Sequence, residues 1–466
     1  MPKTQAPSRK LSFQKRNIHS ISRWKFLVKN GDICCHSCLL RLPGCRNSGK
    51  LGPGIVDCLR IFDSLCLDLT ILIQVSNTRR SSEACCRDKN LLSCQEAMVD
   101  PDILDRKEDI MLADVVLSFK STVPPNGFVY QSPAGDEAVI TLNKVTGNMF
   151  GNFETSTGRS FSLERCSSGH TWKEFNVTSF NDEDDSSSEE VGDEEVESRK
   201  MAELRKLGAE DRTTPATYSV MFYYTPDFAA ITPDIPGFID QVLAETNQGY
   251  VNSGIPLTAT RFCIEAATIN DMEESSDLLR AFYYMKSSTT ALRNTADAAA
   301  LLAADFSSCG RASTNTIWSG NTLSICQKSC ALGYYSFGHE LAHNMGARHN
   351  KEQHTNSYYS YGHGHLIEEG KASTGYRTIL AYSATGHRTR VNYYSNPDQI
   401  YPPTGTPLGK EGVSDNARVL MENRLAMQEV GDESGTCSDG SLPGATTAPA
   451  PEGTAAPTPA LEGDFV

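Results

Sequence analysis

His339-Glu340-Leu341-Ala342-His343-Asn344-Met345-Gly346-Ala347-Arg348-His349 is the stretch that decides how this chain is read. On a helix, His339 and His343 lie one turn apart and point the same way. Two imidazoles so placed can hold one metal ion, with Glu340 beside them and not forced to ligate it. Gly346 permits a positive φ, so the helix can stop and the chain can swing back. That swing carries His349 to the same ion as a third nitrogen ligand. Three neutral imidazoles leave one corner of a tetrahedral zinc open for water, the catalytic arrangement rather than the structural one. Tyr334, Tyr335, Phe337, Leu341 and Met345 supply an apolar side for a buried helix, and Ser336 suits its first turn.

The run from His339 to His349 resembles the zinc signature of the metzincin metallopeptidases. The resemblance makes His339, His343 and His349 the ligands of one catalytic Zn2+ and Glu340 the general base. It also implies a tight turn beneath the metal, normally carrying a methionine. Arg377-Thr378-Ile379-Leu380-Ala381-Tyr382-Ser383 has that character, with Leu380 in the methionine's place. Leucine and methionine are both apolar and similar in volume, so packing under the ligands can survive the exchange. Tyr382 resembles a position where some metzincins place a tyrosine near the zinc; a packed aromatic of the turn is the alternative. Asn392 to Pro397, Asp415 to Arg418, and Tyr218 to Tyr224 with Thr225-Pro226 resemble reprolysin-like (adamalysin-like) and bacterial peptidyl-Asp-type metallopeptidases. Asn350 follows the third histidine, where reprolysins usually carry Asp and astacins Glu. His354, His363, His365 and His387 read as surface or loop histidines rather than a fourth ligand.

The chemistry implied is hydrolysis of protein or peptide substrates. Zinc on three imidazoles brings the pKa of its water toward about 7. Glu340 takes a proton from that water and later gives one to the leaving amine. A competing reading is a catalytically weak or silent binding protein that keeps the metzincin fold. Intact Glu340 and three histidines argue against it, and Leu380 is the only central departure.

Composition narrows the partners. The net charge is −14 and the central part has no sustained basic face, which argues against nucleic acid. No apolar run reaches the ~18 residues a membrane span needs. The best, Leu65 to Val75, is interrupted by Asp68. Nine cysteines precede residue 100, and Cys309, Cys326 and Cys330 lie shortly before the candidate zinc helix, where a disulfide would brace it. Disulfides and the sequon Asn176-Val177-Thr178 suit a secreted protein, the location the resemblance implies. Yet residues 1–30 are basic with no apolar stretch close behind, so no secretory signal is recognisable.

Five segments follow. Residues 1–110 are basic, cysteine-rich and unassigned. Residues 111–180 alternate in β fashion between turn signals such as Pro124-Pro125-Asn126-Gly127, a small antiparallel domain placed like a prodomain acting in cis. Cys166 within it is a candidate inhibitory zinc ligand, aided by His170; a buried thiol or disulfide partner is the alternative. Residues 181–212 read as an acidic disordered linker ending in basic residues, suited to proteolytic removal of the prodomain or to plain linkage. Residues 213–432 read as the catalytic domain, an α/β sandwich with a mixed twisted sheet. Its expected order is strand Tyr218 to Tyr224, helix Pro236 to Asn252, strand Leu257 to Ile264 and helix Ser276 to Met285. A buried strand or helix at Ala298 to Ala304, an edge strand at Trp318 to Ile325, the zinc helix and a last helix at Ser414 to Val430 complete it. Residues 433–466, rich in Pro, Ala and Thr, form a flexible tail.

Overall fold

The computed structural model describes residues 26–29, 32–35, 73–75, 86, 90–177, 179–180, 199–288, 295–353, 357–367, 375–382, 389–432 and 437. The chain divides into two compact units, Met1–Asp68 and Leu69–Val466. In the first, strands Phe26–Lys29 and Asp32–Cys35 pair antiparallel. The expectations for residues 181–197 and for the tail beyond Cys437 lie outside the described residues, as do His354 and His387.

The second unit opens with a nine-stranded antiparallel sheet. Its order is Ile73–Val75, Leu91–Val99, His170–Phe175, Ser160–Arg165, Met149–Glu154, Glu137–Leu142, Gly127–Gln131, Val115–Val123 and Ile110–Leu112. The sheet therefore starts well before residue 111, and the segment left unassigned on sequence contributes strands to it. Successive strand residues face opposite sides. Ala138, Ile140, Met149, Phe153, Phe161, Leu163 and Trp172 build one core, closed by Ile103 and Leu104 of the short helix Asp102–Arg106. The alternate residues on the same strands are mostly polar and still buried: Thr141, Asn152, Ser160, Ser162 and Glu164. That second face meets the rest of the unit.

What it meets first is helix Ile235–Asn252. Val123, Val129 and Val139 pack on Ala244, and Gln241 donates from Nε2 to the Val139 carbonyl at 2.9 Å. This helix starts cleanly because Asp234 caps it, its Oδ1 accepting from Gly237 N at 3.0 Å. It links strand Ala216–Tyr224 to strand Leu257–Ala266, a right-sized βαβ unit. The five-stranded sheet runs Leu257–Ala266, Ala216–Tyr224, Ala298–Ala303, Leu323–Gln327, Gly310–Ala312; only the last strand is antiparallel. Ala298–Ala303 is a strand buried throughout, as a central parallel strand requires. Tyr218, Val220 and Phe222 face one core with helices Ile235–Asn252 and Ser336–Asn344, while Met221 and Tyr223 face helix Ser275–Ser288. The mixed α/β architecture expected for this region is present.

Three sequence expectations are corrected. The edge strand is Gly310–Ala312, not Trp318 to Ile325; regular pairing there begins only at Leu323. Residues 181–212 are not all linker, because Arg199–Glu210 is a helix packed on the C-terminal helix Asn416–Met427. Met201 is buried there, and Gly208 lies so close that a Cβ would fall 2.3 Å from the Glu422 carbonyl oxygen. Buried Arg424 locks the end of that helix, donating to the carbonyls of Gly208 at 3.1 Å and Thr214 at 2.7 Å, and to Asp211. Finally, Cys437 is bound to Cys263, so the start of the tail is tethered to a sheet strand.

Candidate active site

Helix Ser336–Asn344 is buried along its whole length. Phe337 stacks on Phe222 of the sheet with ring centroids 5.4 Å apart, and Asn344 Nδ2 donates to the carbonyls of Ser313 at 2.6 Å and Leu323 at 3.0 Å. The helix stops as the sequence required. Gly346 has φ +96°, with Gly346 N donating to His343 O at 2.9 Å and Ala347 N to Ala342 O at 3.1 Å. Those two bonds are the Schellman closure of a helix, and they turn the chain back on itself.

The turn delivers His349. The three Nε2 atoms of His339, His343 and His349 lie 2.8–2.9 Å from one another. His339 Nδ1 faces the Ile379 carbonyl at 2.9 Å and His343 Nδ1 faces the Ala347 carbonyl at 2.8 Å. A carbonyl only accepts, so both Nδ1 atoms carry protons and both Nε2 lone pairs point at the common centre. Lone pairs converging in a buried place need a cation between them, and three imidazoles suit zinc. The His339 pKa is held well below its ordinary 6.5 by burial, then by His343, Arg390 and His349, which keeps the ring neutral and able to ligate. Among the described residues these three form the only group of His, Cys, Asp or Glu placed to hold a metal.

Glu340 is fully buried beside them, its carboxylate against Gly310 of the edge strand. The expected turn beneath the ligands is also present. Ala381 N donates to Thr378 O at 3.0 Å, Leu380 is fully buried, and Gly364 comes so close that a Cβ would sit 2.6 Å from Ala381 N. Tyr382 lies at the site: its ring stacks on His349 at 3.8 Å between centroids.

Some supporting residues escaped the sequence reading. Asn350 Oδ1 accepts from Tyr382 N at 2.9 Å, so the residue after the third histidine fastens the Leu380 turn to the returning chain. His363, read as a loop histidine, is indeed in a loop, but it is buried and its Nδ1 donates to the His349 carbonyl at 2.9 Å. Their adjacency to the motif was the available signal. Cys309–Cys330 is the disulfide that braces the approach to the helix, leaving Cys326 buried outside any disulfide.

One candidate is overturned. Cys166 is disulfide-bonded and buried among Cys86, Cys94, Leu91 and Phe175. A sulfur already in a disulfide offers no thiolate to a metal. His170 does not face a metal either; its Nε2 accepts from Met149 N at 3.0 Å, and burial followed by Arg165 lowers its pKa to about 4.

The model of metallo-peptidase family M12 matches residues 214–395. The peptidyl-Asp metalloendopeptidase of Pseudomonas fragi is 34% identical over 186 residues, which cover 39% of this chain and 97% of that protein. The chain belongs to the M12 metallopeptidases. Longer relatives of the same name come from Stenotrophomonas maltophilia (strain K279a), 36% identical over 224 residues, and Xanthomonas campestris pv. campestris, 32% identical over 220 residues. These matches cover 46% and 45% of this chain and 52% and 51% of those proteins, so the chain spans about half the length of these relatives. The M12 match holds both arms of the site, the helix and the Leu380 turn, and lies entirely outside the nine-stranded sheet.

Proposed function

We propose that the chain is a zinc-dependent endopeptidase, made as a zymogen whose β-rich unit is its prodomain. The convergence of the three Nε2 atoms beside the Glu340 carboxylate carries this reading. Zinc held there would polarise the scissile carbonyl and make an attacking water acidic. Glu340 accepts the proton from that water on its carboxylate and passes it to the departing amine. The exposed side of edge strand Gly310–Ala312 pairs with an extended substrate backbone. Tyr382, whose ring stacks on His349, would donate its phenol proton to the oxygen that gains charge.

The relatives' name points to aspartate beside the cleaved bond. Two buried guanidinium groups support an acidic preference here. Arg377 and Arg390 are register partners on neighbouring strands, and Arg390 Nη1 lies 3.3 Å from Ser336 Oγ, one turn from His339. The zymogen reading is supported by where the β-rich unit grips. Ser160 Oγ donates to Gly333 O at 3.1 Å, Tyr335 OH donates to Glu154 at 2.5 Å, and Phe180 stacks on Tyr334 at 4.3 Å. All three touch the segment that feeds the zinc helix. The disulfides Cys86–Cys94, Cys263–Cys437 and Cys309–Cys330 support secretion into an oxidising compartment. No described helix is long and apolar enough to cross a membrane.

The test is casein cleavage by the full chain after release of the β-rich unit, with and without a chelator, alongside Glu340→Ala. A mass-spectrometric map of the cut sites reads the side-chain preference. Equal activity of Glu340→Ala and the wild type sinks the enzyme reading.

A further inference from the structure

Gly310 is a glycine for which the backbone gives no reason. It lies in a strand, outside the set of glycines with positive φ, where glycine packs nothing and weakens pairing. Its reason is the space it leaves. A Cβ built there would fall 2.3 Å from Glu340 Oε1, 2.8 Å from Cδ and 2.9 Å from Cγ. The three nearest atoms all belong to the end of one side chain, the carboxylate that moves the proton.

Neither backbone that carries this contact can retreat. Gly310 pairs with Cys326, and its carbonyl accepts from Ser308 Oγ at 3.1 Å. Its neighbour Cys309 is in the disulfide to Cys330 and accepts from Gln327 N at 2.9 Å. Beyond the strand, the chain is tied to the zinc helix itself, through Asn344 Nδ2 to Ser313 O at 2.6 Å and Asn315 N to His343 O at 2.8 Å. A strand fastened to the helix cannot back away from it. The helix is buried on all sides and its histidines are pinned through Nδ1.

We propose that Gly310 is a positioning residue for Glu340: the absent side chain is the berth that sets where the carboxylate rests against the edge strand. The proposal rests on reading Glu340 as the proton-moving group. A methyl at 310 can be relieved only by rotating the Glu340 side chain. That moves the carboxylate by about 1 Å, a displacement that costs on the order of 100-fold in rate when it affects a reacting group. The imidazoles are not displaced, so zinc binding is spared.

The experiment compares Gly310→Ala, Glu340→Ala, Glu340→Asp and the double variants Gly310→Ala/Glu340→Ala and Gly310→Ala/Glu340→Asp in the full chain after release of the β-rich unit. Expected for Gly310→Ala is a kcat about 100-fold lower with KM changed less than about threefold. Zinc content and the visible spectrum of the cobalt-substituted protein stay as in wild type. Aspartate is one methylene shorter and withdraws from the crowded space, so Gly310→Ala costs much less on the Glu340→Asp background, and nothing further on Glu340→Ala. Wild-type kcat in Gly310→Ala, loss of zinc, or an equal loss on every background overturns the proposal. An active Glu340→Ala sinks the broader enzymatic reading instead; an inactive Glu340→Ala beside a fully active Gly310→Ala sinks this inference alone.

Discussion

Glu164 offers the sharpest test of how the β-rich unit is held. It is almost wholly buried, with Lys328 Nζ 2.6 Å away on the catalytic side and Lys173 Nζ 2.8 Å away on its own sheet. Burial alone would raise its pKa, but the two ammonium groups outweigh burial and hold it at about 2. A drop from the ordinary 4.5 to about 2 is worth at most about 3 kcal/mol. The folded-state pKa is depressed, so this stabilisation is complete above pH 4.5 and disappears as the pH falls toward 2. Glu164→Gln leaves two buried lysines facing each other, a defect that costs about 3–5 kcal/mol. Replacing all three groups, as Glu164→Gln with Lys173→Met and Lys328→Met, should recover most of the loss, because an apolar set tolerates burial. The assay is urea unfolding of the full chain near neutral pH and again near pH 3. Near pH 3 the single variant and the wild type should draw closer together. A loss below about 1 kcal/mol, or a gap that does not depend on pH, would refute a charge-held junction.

The junction also carries an opposite titration. Burial first, and then Glu137, pushes Glu154 up to about 8; burial pushes Glu245 up to about 8 against bonds from Gly333 and Gln241. The unfolded chain releases these protons near 4.5, so stability should decline as pH climbs from there to about 8, and Glu154→Gln should flatten the decline between urea midpoints at about pH 5.5 and about pH 8.5. Gly346→Ala forces a methyl into φ +96°, with Asn315 Oδ1 2.7 Å and Tyr359 Cε2 2.9 Å from it. It should cost at least about 1–2 kcal/mol and displace His349, read as a weaker zinc affinity in competition with a fluorescent chelator; unchanged affinity would show that the Schellman turn does not place the ligand. Stripping zinc should lower the thermal midpoint, since a metal present at about 1,000 times its Kd adds about 4 kcal/mol to the folded state. An apo midpoint equal to the holo one would argue against a metal among these histidines.

Much of the site was legible because its determinants are local. The spacing His339, His343, Gly346, His349 contains its own geometry, and the structure returns the turn and the convergence it implies. Leu380 could be placed by resemblance despite the missing sulfur, because packing asks only for volume there. Determinants that act across the fold were not legible. Gly310 matters only because a three-residue edge strand lies beside the helix, and three residues show no periodicity. Helix Arg199–Glu210 had a readable pattern in Met201, Leu204 and Leu207, but it was hidden behind the acidic run that precedes it. For Cys166 the sequence left a metal ligand and a disulfide partner both open, because isolation in sequence says nothing about isolation in space, and the structure shows the disulfide.

The two faces of the nine-stranded sheet bear on why such a unit would be attached to a peptidase. One face keeps Ile140, Phe153, Phe161 and Trp172 for itself, a core built from the sheet's own strands and the helix Asp102–Arg106. The other presents Thr141, Asn152, Glu154, Ser160 and Glu164 to the catalytic side through hydrogen bonds and an ion pair. Permanent interfaces are apolar like a domain core cut in half, whereas interfaces that must come apart keep polar groups able to face water again. Here the docking face is mostly polar, with an apolar patch where Val123, Val129 and Val139 meet Ala244, and its polar share suits the proposed prodomain. Its grip falls on Lys328, Gly333, Tyr334 and Tyr335, just before the helix that carries His339 and His343. Tyr335 enters that helix in the left-handed conformation, at φ 60°, which a tyrosine adopts only when its surroundings impose it. The same residue donates its hydroxyl to Glu154 of the nine-stranded sheet. Cys166, already in a disulfide, has no thiolate to offer, so under the proposed zymogen reading it is these contacts at the helix entry that release of the β-rich unit would remove.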